Sequence, residues 1–294
     1  MISSILTESQ NPNTTNIDLL DSEDIARLIN DEDKKVAAAI ESVIPQIAKA
    51  IDVISFAFMN GGRLAYFGAG TSGRIGVLDA TECPPTFGVD VNMVQAFIAG
   101  GPDALRCAVE NAEDNYEFAL QDLEKFAPTP NDVVMAISAS GNPLYCVTVL
   151  KEAKKYCCKT IALSSNPDAT MAEFADIFIN PIVGAEAITG SSRMKSGSAQ
   201  KMILNMISTG AMIRIGKTYK NYMIDLKPTN MKLLERSIRF ISEICNIPNY
   251  IASQYFERSG RNVKTACVMA VKQCTKEHAE ELLSQHKGIL RKVI

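Results

Sequence analysis

The stretch "LAYFGAGTSGRIGVLDATECPP", residues 64–85, decides the architecture. A short apolar run leads into Gly68, Gly70 and Gly73 in G-x-G-x-x-G spacing, and a helical pattern opens near Ser72. Strand, glycine loop and helix in that order begin a parallel α/β sheet, with the loop at the carboxyl end of the strand, where such folds bind ligands. The same spacing fits a dinucleotide site, and Asp90 stands near the distance at which an acid would meet the ribose. Thr71 and Ser72, which put hydroxyls inside the loop, and Glu82, followed at once by Cys-Pro-Pro, point to another ligand.

Around this stretch, apolar strand patterns alternate with helical ones. "VNMVQAFIA", "DVVMAIS", "KTIALSS" and "ADIFINPIV" read as further strands. Residues 1–30 read as an irregular polar arm, and 34–58 as a helix kinked near Pro45. Residues 102–125 read as one helix with Leu105, Ala108, Val109, Ala112, Tyr116, Ala119 and Leu123 on its apolar face. Pro84 and Pro85 are expected to end the helix after the glycine loop. A long helix is expected from about Ser196 to Ile215, and three short ones after Cys245. The whole reads as a doubly wound, largely parallel α/β domain over residues 1–244, with a small helical domain over 245–294.

A net charge of −3, with 21% charged residues in a chain of 294, gives no electrostatic reason to expect nucleic acid or an anionic membrane as partner. The polar N-terminus and the lack of any span of membrane length predict a cytoplasmic protein. Eight scattered cysteines read as reduced thiols, and His278 and His286 are the only histidines. No metal or redox cofactor is expected, and the chemistry falls to carboxylates, hydroxyls and backbone groups.

Three loops share that chemistry: "GAGTSG" (68–73), "SASGNP" (138–143) and "TGSSRMKSGS" (189–198). Glycines allow close backbone approach, hydroxyls donate, and helix N-termini attract anions. A dinucleotide explains one loop, whereas a phosphate monoester on a polyol explains three. Two acids stand out. Glu113 falls at about 80° from the centre of the apolar stripe of its expected helix, at the border of the buried face. Partial desolvation there suits an acid/base catalyst, although a surface ion pair would look the same. Glu82 lies at a helix C-terminus, where the dipole disfavours an acid. A straight helix would hold it roughly 15 Å from the glycine loop, so either the chain turns back or Glu82 serves a second subunit of a homodimer.

"GAGTSGRIGVLDATECPPTFG", "IAGGPDALRCAVENAEDN", "ISASGNP" and "TGSSRMKSGSAQKMILNMISTGAMIRIGK" closely resemble the N-acetylmuramic acid 6-phosphate etherases, as do the arm "LTESQNPNTTNIDLL" and the tail "RSGRNVKTACVMA". The resemblance implies the SIS (sugar isomerase) fold, with a C-terminal module similar to ubiquitin-associated domains. It also implies a lyase that splits the lactyl ether of N-acetylmuramate 6-phosphate into N-acetylglucosamine 6-phosphate and D-lactate. The family's two active-site acids fall on Glu82 and Glu113. The phosphate is then expected among Gly70, Thr71, Ser72, Gly73, Ser138, Ser140, Gly141, Ser191 and Ser192, with charge from Arg193 or Lys195, unless these two are structural contacts at the N-terminus of the long helix. Ser9-Gln10, where relatives often carry an Arg, and Asn142 depart from the family pattern. A non-catalytic sugar-phosphate sensor and a ketose–aldose phosphate isomerase are the competing functions, because the fold alone does not choose among them.

Overall fold

A computed structural model describes residues 6–226 and 231–294. The chain divides into two compact units, Met1–Thr81 with Asn92–Ser208, and Glu82–Val91 with Thr209–Ile294.

The first unit is built on β1 (Leu64–Gly68), β2 (Val94–Ile98), β3 (Val133–Ile137), β4 (Lys159–Leu163) and β5 (Ile177–Ile179). They form one wholly parallel sheet in the order β2-β1-β3-β4-β5. Every residue of β1 and β3 is buried, which is why these strands read as unbroken apolar runs rather than alternating ones. Phe67 and Phe97 stack at 4.9 Å, with Phe126 edge-on to both. Gly68 pairs in register with Ile98 on one side and Ile137 on the other, so β1, β2 and β3 end level. The chain runs from β1 out to β2, then crosses to β3 on the far side of β1. Successive loops part at that point and leave a crevice between β1 and β3.

Four helical expectations meet corrections. The arm is shorter than 30 residues: α1 (Ser22–Glu41) starts on the side chain of Asp21, which accepts from the Asp24 amide. The kink near Pro45 is a full break to α2 (Ile44–Met59), with the axes turned by 62°. Pro45 sits in the first turn of α2, where its missing N–H leaves no bond unmade. Helix α3 (Gly70–Phe87) runs on through Pro84 and Pro85. The prolines delete only the amides that would bond to the carbonyls of Ala80 and Thr81, while the Gly88 amide still closes on Pro84 at 2.9 Å.

The fourth correction concerns residues 102–115. They form two 3-10 turns, Pro102–Leu105 and Ala112–Asp114, and only α4 (Tyr116–Phe126) is α-helical. Asn111 takes a left-handed φ of 57°, and Asn115 caps α4 by accepting from the Phe118 amide at 3.0 Å. Leu105 and Val109, counted as core in the sequence, are each 38% exposed.

Helix α5 (Leu144–Ala153) follows the second hydroxyl loop, and α6 (Lys195–Arg214) stands close to its expected position. The second unit carries a two-strand hairpin, β6 (Thr218–Tyr219) with β7 (Tyr222–Met223), and α7 (Met231–Cys245). The three expected short helices follow as α8 (Asn249–Arg258), α9 (Val263–Lys272) and α10 (Lys276–Gln285). Ile241, Phe256, Cys267 and Leu290 lie at the centre of their core. Among the described residues no single helix is long and apolar enough to cross a membrane.

Candidate active site

A cavity of about 360 Å³ occupies the crevice at the carboxyl ends of β1 and β3. Gly70, Thr71 and Ser72 line it from the first loop, Ser138 and Ser140 from the second, and Ser192 from the third. Helix α3 begins at Gly70, so its first-turn amides have no acceptor within the helix and its positive dipole end meets the cavity. Gly73 supports this turn from beneath. A side chain there would come within 2.6 Å of Ile98.

In the second loop the Ser138 hydroxyl accepts from the Gly141 amide at 3.0 Å, and the Ser140 hydroxyl accepts from the Asn142 amide at 3.4 Å. Each keeps its own O–H free to donate. Gly141 has φ +74°, and a Cβ would fall 2.2 Å from that of Ala169, so glycine alone closes this turn. Asn142 braces the loop from outside, its side-chain oxygen accepting from the amide and hydroxyl of Thr170 at 3.0 and 2.9 Å.

The third loop is organised by charge. Glu186, fully buried, accepts from the amides of Lys195 and Ser196, each at 2.9 Å. The protein's own carboxylate thus occupies the N-terminus of α6. The Lys195 ammonium is buried and donates to Glu32 at 2.6 Å, and Lys35 pairs with the same carboxylate. Burial alone would raise the Glu32 carboxyl. The hydrogen bonds from Lys195, Lys35, Asn11 and Asn13 outweigh it and hold the pKa down to about 2. Lys195 is therefore committed within the protein and does not line the cavity, nor do Ser191, exposed Arg193, Gly73 or Gly141.

The polar arm contributes two residues that lie in its family-like stretch but are not among the expected site residues. Asn11 donates to the carbonyl of Ala185 at 3.1 Å and Thr14 to that of Ala187 at 2.8 Å, which ties the arm to the third loop. Thr7 and Glu8 are thereby delivered to the cavity wall. The Thr7 hydroxyl is buried with no partner among the described residues, and the Glu8 carboxylate lies against Gly190.

Glu113 also lines the cavity. It arrives on the Ala112–Asp114 turn, held between the left-handed Asn111 and the cap Asn115, and not on the face of a long helix. Glu82 does not line the cavity. It follows Ser72 by ten residues on one helix, about 15 Å along the axis. Another hollow, of about 340 Å³, lies at the opposite ends of β3 and β4, around Phe56, Pro130 and Lys159, far from the hydroxyl loops.

A helix N-terminus and hydroxyl loops at the switch point of a parallel five-stranded sheet define a protein of the SIS-domain class. Residues 110–209 match the SIS domain family, and residues 24–154 match the glucokinase regulatory protein N-terminal SIS domain. The fold is shared with a phosphoheptose isomerase from Francisella tularensis (TM-score 0.51, 18% identity, covering 65% of this chain and 98% of that one). An N-acetylmuramic acid 6-phosphate etherase of Edwardsiella ictaluri is 51% identical over 290 residues, 99% of this chain and 97% of the relative. One from Glaesserella parasuis is 49% identical over 284 residues, 97% of this chain and 93% of the relative. The chain belongs to the N-acetylmuramic acid 6-phosphate etherase family.

Proposed function

We propose that this chain cleaves the D-lactyl ether of N-acetylmuramic acid 6-phosphate, yielding N-acetylglucosamine 6-phosphate and D-lactate, in the catabolism and recycling of cell-wall amino sugars. The observation that carries the reading is the presence of Glu113 in the same cavity as the α3 N-terminus and the Ser138 and Ser140 hydroxyls. Those donors suit a phosphate, and Glu113 offers a carboxylate to the carbon chain beyond it.

In the open-chain sugar the aldehyde acidifies the proton on carbon 2, and Glu113 removes it as base. The C3–O bond breaks, a C2=C3 double bond forms, and Glu82 as acid protonates the departing lactate oxygen. Water then adds, its hydroxyl to carbon 3 and a proton to carbon 2, with the same acids working in reverse. Two carboxyls in opposite protonation states meet both steps. Since Glu82 is absent from the cavity of its own chain, we infer that a second copy supplies it, in a cytoplasmic homodimer with shared sites.

The test is incubation of the purified protein, without added cofactor, with N-acetylmuramate 6-phosphate and an assay for free D-lactate. Release that vanishes in Glu113→Gln supports the reading. Binding of the sugar phosphate with no lactate formed would leave a sugar-phosphate sensor, and interconversion of sugars without lactate an isomerase.

A further inference from the structure

The phosphate-side cavity has a neighbour. Ala69, Gly70 and Glu113 form a wall common to both spaces, and beyond it lies a second chamber of about 260 Å³. Its lining is of two kinds. Ala99, Ala104, Ala108 and Val109 present small apolar groups, and Arg74 presents a guanidinium.

Arg74 sits in the second turn of α3 and is half-buried. Its Nε donates to the carbonyl of Leu105 and its Nη2 to that of Cys107, each at 3.3 Å. A guanidinium has five N–H donors, so three remain. No carboxylate among the described residues pairs with Arg74. Glu110 also lines the chamber, as an exposed and solvated carboxylate. The half-buried cation is the less screened of the two.

We propose that this chamber is the subsite for the lactyl group, with Arg74 pairing its carboxylate and the alanine and valine side chains receiving its methyl. The proposal rests on the etherase reading. A methyl and a carboxylate on one carbon require an apolar wall and a fork of donors side by side, and the chamber offers both. Phosphate on one side of the shared wall and lactyl on the other put the ether bond at Glu113. An isomerase acting on an unsubstituted sugar phosphate has no use for such a chamber.

The experiment compares two ethers, N-acetylmuramate 6-phosphate and its carboxamide, in which the lactyl carboxylate is neutral, on the wild type and on Arg74→Gln. Charge-assisted bonds of this type predict a wild-type preference for the acid of about 10- to 100-fold in kcat/KM. Arg74→Gln should lower turnover of the acid by that factor and leave the amide within about threefold, so that the preference disappears. Inhibition by N-acetylglucosamine 6-phosphate, which lacks the lactyl group, should not change. Val109→Glu, at a half-exposed position, should likewise penalise the acid more than the amide. Equal loss on both ethers in Arg74→Gln, or a preference that survives both substitutions, would overturn the proposal. No lactate from the acid and no lactamide from the carboxamide with the wild type, while N-acetylglucosamine 6-phosphate still binds, would overturn the etherase reading and this subsite with it.

Discussion

Glu32 keeps its charge in the interior because four donors converge on it, two of them the ammonium groups of Lys195 and Lys35. Its folded pKa of about 2 lies below the ordinary 4.5, so the stabilisation is complete above that value. It is lost as pH falls through about 2, and amounts to about 3 kcal/mol. Glu32→Gln should cost about 3–5 kcal/mol in urea unfolding at pH 7, because Lys195 is left buried and unpaired. The variant's stability should also change less than the wild type's between pH 4.5 and 2. At the chemical centre, Glu113→Gln should lower D-lactate release by about 10²–10⁴-fold and abolish solvent exchange of the carbon-2 proton. Retained exchange would remove Glu113 from the role of base. In sequence, Lys195 stands beside the hydroxyls of the third loop and reads as a phosphate ligand. Its partner lies 163 residues away, a distance no local pattern bridges.

Helix α6 shows how an element prepares the site. Its N-terminus is capped by two bonds to Glu186 and is closed to a ligand, whereas that of α3 is open. Glu186→Ala should therefore lose a cap worth about 1–2 kcal/mol, measured by denaturant unfolding, and raise KM by loosening the Ser192 loop. Unchanged KM in a destabilised variant would limit Glu186 to stability. The strands and loops were legible because continuous apolar runs and Gly/Ser turns carry their own local physics. Residues 102–115 misled the helical periodicity. Leu105, Ala108 and Val109 recur there at helical spacing, yet they stay exposed while Ala104 and Ala112 are buried, and the turn-forming Asn111 and the capping Asn115 prevail. Glu113 owes its place to those two asparagines.

For the whole molecule, a site shared between copies makes a quantitative prediction. Inactive Glu82→Ala and Glu113→Ala chains, mixed and allowed to exchange, should recover about one quarter of wild-type activity, since half the dimers are mixed and one site in each is intact. Purified mixed dimers without activity would return Glu82 to some other role. The order of the strands and the glycine and hydroxyl loops follow from the sequence alone, because each is a local pattern of polarity and backbone freedom, whereas Glu82 and Glu113 are marked as the acids by the family resemblance. Only the tertiary structure decided which loop residues share a cavity, that Lys195 belongs to Glu32, that the arm brings Thr7 and Glu8 to the wall, and that Arg74 faces a second chamber beside Glu113. Those facts depend on contacts between residues far apart in the chain, where packing and charge pairing, not neighbouring sequence, set the outcome.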